Sequence, residues 1–390
     1  MNASLPVPFP GKKVSSVPLL DVNRGNAPLR DDFIEALTRV VDSGRFLFGP
    51  DVQQLERSIA ERCGVEHAIA CASGSDALLL ALLALDIGDY DEVIVPSFTF
   101  FATASAVTRV GATPVFVDIE PATFNLDPAC VKAAITSRTK AIIPVHLFGQ
   151  CADMSSIMSL GLEHNIPVIE DAAQAIDAKH GGQAAGSMGA IGCFSFYPTK
   201  NLGGMGDGGL LTTNDPQLAE RLRLFAAHGM NPRYHHKVIG INSRLDTLQA
   251  AVLNVKLKHL LKWTAARTAN ALRYHEGLAT HHELGLPLAL PGNEHVWNQY
   301  TVRVPHGQRN AVKQRLAEAG VGSEIYYPIP LHQQECYRSL GYRAGSLPET
   351  ERAAAEVLSL PIFPELAAEE QAIVIDCLAE ALQPRRAIAA

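Results

Sequence analysis

Three short segments hold residue types able to do chemistry together, and each follows an apolar run. In CASGSDALLLALLAL, Ser73-Gly74-Ser75-Asp76 stands between a strand-like segment and a helical one. Glycine lets the backbone approach a ligand closely, and the free N–H groups and dipole of a helix start favour an anion. Capping of the helix by Ser75 or Asp76 is the plainer alternative. In IPVIEDAAQA, Glu170-Asp171 ends an apolar run. A carboxylate there is costly to leave unpaired, so it calls for a cation, a metal or a protonated ligand atom unless it is a solvated loop acid. In CFSFYPTKNLGGMGDGGLLTTND, Lys200 lies between Ser195 and a glycine cluster. Shielded from water, its amine has a lowered pKa and becomes nucleophilic; an exposed surface lysine is the alternative. Gly204-x-Gly206-x-x-Gly209 matches a dinucleotide fingerprint in letters only, because a β-like run follows where a helix would be needed. An anion-binding helix start, a strand-end carboxylate and a shielded lysine are what pyridoxal 5'-phosphate requires for its phosphate, its pyridine nitrogen and its aldehyde.

The elements that must position these groups are legible as alternation. Candidate strands are His67–Ala72, Val93–Pro96, Pro114–Asp118, Ala141–His146, Pro167–Asp171, Ile191–Phe196 and Gly209–Thr213, with helical stretches such as Asp76–Leu85, Ala102–Val110 and Ser155–His164 between them. Short apolar strands separated by helices predict an α/β fold with a largely parallel, buried sheet whose ligand lies beyond the strand carboxyl ends. From Asn242 the texture changes. Leu245, Leu248, Val252, Val255 and Leu260 recur at helical spacing, and Ser243 with Asp246 resembles a capping box, predicting one helix of roughly 30 residues. Beyond it, QYTVRV reads as a strand, RNAVKQRLAEAG as a helix and SEIYYPIPLH as a strand entering a proline-rich loop. The expected division is a lead-in and first helix over 1–45, a large domain over 46–264, and a smaller α+β domain over 265–390.

Composition sets the boundaries. A chain of 390 residues, 47% hydrophobic and 19% charged, has the makeup of a globular protein. Its net charge of −7 lacks the basic excess that attracts nucleic acid or anionic membrane. The longest apolar run, Ala77 to Leu85, falls well short of the roughly 20 residues a membrane-spanning helix needs. The proline-dotted amino terminus reads as a lead-in without signal-peptide features. Seven dispersed cysteines without a CxxC pair fit reduced thiols in the cytoplasm better than disulfides or a zinc site.

The ordered segments GRFLFGPDVQQLE, SGSDALLLAL, VIVPSFTFFATASAV, PVFVDIEPATFNLD, AIIPVHLFGQCADM, VIEDAAQA, GCFSFYPTKNLGGMGDGG, GINSRLDTLQAAVL and LSLPIFPEL resemble the DegT/DnrJ/EryC1/StrS sugar aminotransferases from Val17 to Pro364. The resemblance implies a fold-type-I pyridoxal-phosphate transferase, with a central, mostly parallel seven-stranded sheet and a smaller C-terminal α+β domain. It further implies a homodimer that moves an amino group from an amino acid, with L-glutamate expected, to a nucleotide-linked ketosugar. It places the Schiff base on Lys200 and the pyridine-nitrogen partner on Asp171. Gln174 would meet the ring hydroxyl, Gly74, Ser75 and Ser195 the phosphate, and Phe100 the ring face. Asn242 would reach the phosphate of the neighbouring subunit, making each site shared. Plainer roles stand beside these: Phe100 as core, Asn242 as a helix cap, Ser195 as a strand hydroxyl.

Arg233-Tyr234-His235-His236 ahead of GINSRLDTLQAAVL resembles the branch acting on 3-keto, UDP- or dTDP-linked sugars, including the enzyme that aminates a UDP-linked 2-acetamido-3-oxo-glucuronate. Arg233, His235, His236, Arg244, Tyr326 and Tyr327 are the substrate-binding candidates; where some of that branch has histidine before Tyr-Pro, this chain has Tyr326. No carboxylate or cysteine completes a metal set around the histidines, so no metal is expected. The rivals are a sugar dehydratase of the same family, which would carry histidine where Lys200 stands, and a non-catalytic regulator that binds the cofactor.

Overall fold

The computed structural model describes residues 16–383, so most of the proline-dotted lead-in lies outside the described residues. A strand forms at each of the seven expected places: β1 (His67–Cys71), β2 (Glu92–Pro96), β3 (Thr113–Val117), β4 (Thr139–Ile142, earlier than the expected Ala141–His146), β5 (Ile169–Asp171), β6 (Ile191–Ser195) and β7 (Gly209–Thr213). Their hydrogen bonds make a four-stranded sheet in the order β1-β7-β6-β5 and a three-stranded sheet in the order β3-β2-β4. Two isolated parallel bridges, Ile142 to Val168 and Val145 to Asp171, join β4 to β5, so the seven strands are two ladders with a narrow seam. Only β7 runs against its neighbours.

Helices cover this layer because its strands are buried on both faces. The helix α1 (Gly74–Ala84) is apolar all round, and Leu78, Leu80, Ala81 and Leu82 are sealed in one core with Val93, Val95, Ile143, Ile191 and Leu211. Two more helices that bear on the site are α2 (Phe101–Arg109), after β2, and α3 (Met154–His164), after β4. All three lie within a residue or two of the expected ranges.

The long helix from Ser243 is not one helix. It is α4 (Thr247–Leu257) and α5 (Leu260–Leu278), interrupted at Lys258–His259. Ser243 does not cap it: its hydroxyl accepts the Ala72 N–H at 3.1 Å, and Asp246 sits at the N-cap without a side-chain bond. Tertiary pairing overrode the local signal, since the Thr247 N–H goes to the Phe46 carbonyl at 2.9 Å.

A separate core gathers Ala271, Tyr274 and Leu278 of α5 with β8 (Tyr300–Arg303), β9 (Val357–Leu360) and the helix Ala368–Leu382. The QYTVRV strand and the helix over Arg309–Glu318 form as expected. SEIYYPIPLH is not a strand. Only Glu324 bridges Ser359, because Pro328 and Pro330 have no N–H to continue a ladder.

Candidate active site

Asp171, the last residue of β5, is buried at the seam between the two ladders. Its Oδ2 accepts the Thr103 hydroxyl at 2.8 Å and its Oδ1 the Ala173 N–H at 3.2 Å. Burial pushes its pKa up, while these two bonds and the Lys200 amine pull it down. The neighbouring Glu170 points the other way. Its carboxylate accepts the Gly186, Met188 and Gly189 N–H groups at 2.6–2.7 Å and the His146 ring N–H at 2.9 Å, so it is satisfied within the protein. Of the two acids, Asp171 is the one left facing a ligand.

Lys200 follows β6 in a loop that turns back at once, its N–H bonded to the Tyr197 carbonyl at 2.9 Å. Gly203 permits that turn, because a Cβ there would run into the Pro198 carbonyl. Burial lowers the Lys200 amine to about 8, with the charge of Asp171 opposing the shift. The glycines 204, 206 and 209 lead into β7 and open no helix.

At the start of α1 the cap is Ser73, whose hydroxyl accepts the Asp76 N–H at 3.1 Å; neither Ser75 nor Asp76 plays that part. The Ser75 hydroxyl is thereby left available to a ligand. Gly74 packs directly on Ser195, since an added Cβ would stand 2.7 Å from the Ser195 Cβ. Gly74 and Ser195 therefore meet, with the helix N-terminus that carries Ser75 facing Ser195.

Gln174 is held at its oxygen by the Phe148 N–H at 2.6 Å, and its amide nitrogen donates to the Tyr327 hydroxyl at 3.3 Å. Phe100 is 57% exposed and so is not core; its ring lies 6.2 Å from that of Tyr327. Tyr326 stands half-buried beside it. Asp171 with Lys200, and Gln174 with Tyr327 and Phe100, are thus brought together, and the Gly74–Ser195 corner stands at the end of β6, next to β5 in the sheet.

The other candidates lie elsewhere in the chain. Asn242 and Arg244 line a cavity of about 420 Å³ with Leu47, Ala72, Asp207, Asp246 and Gln249. Asn242 is exposed and caps nothing, its helix starting only at Thr247. Arg233, His235 and His236 sit on an exposed hairpin, with the Arg233 guanidinium 4.8 Å above the Tyr234 ring and the His236 Nδ1–H donated to the His228 carbonyl at 2.9 Å. Among the described residues no hydrogen bond or ion pair links this hairpin to Lys200 or Asp171. Thr103 is a functional residue that sequence reasoning missed. A threonine in the first turn of a largely apolar helix, directly after the ring-stacking candidate Phe100, was the available signal.

These residues fit pyridoxal phosphate. A buried carboxylate raised by desolvation gains a proton-bearing partner, an amine near 8 is ready to capture an aldehyde, and the helix start with two hydroxyls is a cradle for a phosphate. The profile of the DegT/DnrJ/EryC1/StrS aminotransferase family matches residues 28–379. A protein of Geobacillus stearothermophilus named "Pleiotropic regulatory protein" is 49% identical over 94% of this chain and 98% of its own. The UDP-N-acetyl-3-dehydro-alpha-D-glucosamine 3-aminotransferase of Acidithiobacillus ferrooxidans is 48% identical over 91% of this chain and 95% of its own. The crystal structure of S. venezuelae DesV in complex with a ketimine intermediate superposes with a TM-score of 0.92 at 43% identity, covering 95% of this chain and all of that one. The fold is the fold-type-I one, and the chain is a pyridoxal-phosphate-dependent enzyme of the DegT/DnrJ/EryC1/StrS aminotransferase family.

Proposed function

We propose that this aminotransferase takes its amino group from L-glutamate and delivers it to the 3-keto carbon of a nucleotide-linked sugar, UDP-linked in the first instance. The observation that carries the sugar assignment is the near-full-length similarity to the Acidithiobacillus 3-aminotransferase. Catalysis is assigned to Lys200 and Asp171, cofactor binding to Gly74, Ser75, Phe100, Gln174, Ser195 and Asn242 as well, and substrate binding to Arg233, His235, His236, Arg244, Tyr326 and Tyr327.

When bound, pyridoxal phosphate supplies an aldehyde that accepts the amine and a ring that takes up the electrons freed when a Cα–H bond breaks. Asp171, fixed by Thr103 and the Ala173 N–H, keeps a proton on the pyridine nitrogen. The Lys200 Nζ, neutral in useful amount near pH 8, moves the proton to and from the donor's Cα. Ser75, Ser195 and the first N–H groups of α1 would hold the phosphate, and Gln174 would meet the ring hydroxyl. A regulatory role is carried by the names of two relatives, a pleiotropic regulatory protein and a sensory transduction protein, whereas the shielded Lys200 amine favours chemistry.

The same reading makes the working unit a homodimer in the cytoplasm, with residues 265–390 as its smaller domain. Phe46, Leu47, Phe48 and Met205 are exposed; Leu47 lines the cavity of Asn242 and Arg244, and the Arg244 guanidinium stands 5.8 Å from the Phe48 ring. A two-fold partner would cover these side chains and bring Asn242 toward the other phosphate. Among the described residues no helix is long and apolar enough to cross a membrane.

Incubation with glutamate and a panel of 3-keto and 4-keto nucleotide sugars, read by mass spectrometry, tests the assignment. Amination of the 3-keto UDP sugars is expected. Turnover confined to 4-keto sugars would overturn it.

A further inference from the structure

Ser97, one residue past β2, makes three hydrogen bonds to a segment more than two hundred residues later. Its carbonyl accepts the Leu331 N–H at 2.9 Å, and its hydroxyl oxygen accepts the His332 N–H at 3.0 Å. The same hydroxyl lies 2.7 Å from the His332 Nδ1. Because that oxygen already receives the backbone N–H, its own proton is free to go to Nδ1, which leaves Nε2 carrying the ring N–H. Nε2 lies 3.3 Å from the Glu351 Oε1, and the Glu351 carboxylate also accepts the Gly345 N–H at 2.8 Å. The helix that carries Glu351 is fastened in turn to the end of β3, where Asp118 accepts the Glu349 and Thr350 N–H groups at 2.9 and 2.7 Å.

Serine, histidine and glutamate in a row suggest a hydrolase, but Ser97 is 1% exposed and no acyl group can reach it. What the chain of bonds does is join two segments of the site. On one side, Ser97 precedes Phe98, Thr99 and Phe100, and then Thr103, which bonds Asp171. On the other, His332 ends the segment that begins Tyr326-Tyr327-Pro328. Between them the Phe98 ring packs at 6.1 Å from Tyr327, and the Tyr327 hydroxyl takes the Gln174 amide.

We infer that His332, bridged between Ser97 and Glu351, is a positioning residue for amino transfer: it holds the Tyr327 hydroxyl on Gln174 and so fixes how that amide meets the cofactor's ring hydroxyl. The inference rests on the cofactor-site reading above, in which Gln174 faces that hydroxyl. It assigns no chemistry to His332 itself.

The test is a double-mutant cycle in the half-reaction with glutamate alone, which needs no sugar and so stands apart from the sugar assignment. His332→Ala is expected to slow the single-turnover rate about tenfold in the native background and hardly at all in Tyr327→Phe, as coupled neighbours do. His332→Asn, whose side-chain oxygen can replace Nδ1 as acceptor for Ser97, is expected to recover most of the loss. In the apoprotein, amide exchange of the segment over residues 324–334 should quicken in His332→Ala and in Ser97→Ala, the second variant serving if the first fails to fold. Equal slowing by His332→Ala in both backgrounds, or unchanged exchange in that segment, would overturn the inference. Glutamate turnover that is insensitive to Gln174→Ala would instead show the Gln174 assignment to be wrong.

Discussion

Lys200 and Asp171 act on each other across the site, and their titration gives the sharpest residue-scale expectations. A lysine with a lowered pKa is neutral, and nucleophilic, above that pKa. Below about 8 the Lys200 amine is protonated and cannot attack an aldehyde, so the rate of cofactor capture by apoprotein should rise with pH to a midpoint near 8. Stopped-flow absorbance checks this, and a midpoint near the ordinary lysine value of 10.5 would mean that the amine is not shielded. Thr103→Val removes the hydroxyl from a buried carboxylate while keeping the shape. A hydrogen bond to a charged group contributes about 1.5–3 kcal/mol, so turnover should fall roughly tenfold or more, with cofactor still bound. Asp171 and Lys200 stood out in the sequence as charges beside apolar runs, and the resemblance gave them their expected roles. Thr103 did not stand out, because a small hydroxyl in an apolar helix is compatible with many roles.

At the scale of elements, the meeting of α1 with the end of β6 defines the anion corner. Gly74→Ala would press a methyl group onto Ser195, and overpacking of this kind costs about 1–3 kcal/mol. Its signature should be local: cofactor affinity falls further than thermal stability, and titration of apoprotein with pyridoxal phosphate compares the two. Ser73→Ala removes only the cap and should lower stability by about 1 kcal/mol in denaturant melts, with affinity affected less. The strands and helices up to β7 were legible because period and burial agree there. The long helix was misread at its start and across its middle. Ser243 is taken up by Ala72, and α5 leaves the core that its Leu260 shares with α4 for another one at Ala271, Tyr274 and Leu278, facts set by tertiary partners that lie far away in sequence.

For the whole molecule, the proposal that Asn242 serves the neighbouring subunit's site has a direct test. Mixing inactive Lys200→Ala protein with an inactive Asn242 variant should restore activity on subunit exchange, because the mixed dimer pairs one doubly damaged site with one intact site. Exchange without recovered activity would place Asn242 outside the partner's site. The expectation of a partner came only through resemblance, since no local pattern announces one. The central claim, that Lys200 moves an amino group onto a nucleotide-linked 3-keto sugar, has a direct measurement: nitrogen-15 glutamate, the UDP-linked 3-keto sugar and native or Lys200→Ala protein, with the sugar product weighed by mass spectrometry. The label should appear in the sugar with native protein and fall by at least two to four orders of magnitude, about the contribution of a positioned proton carrier, without the lysine. Equal labelling by both proteins would contradict the account.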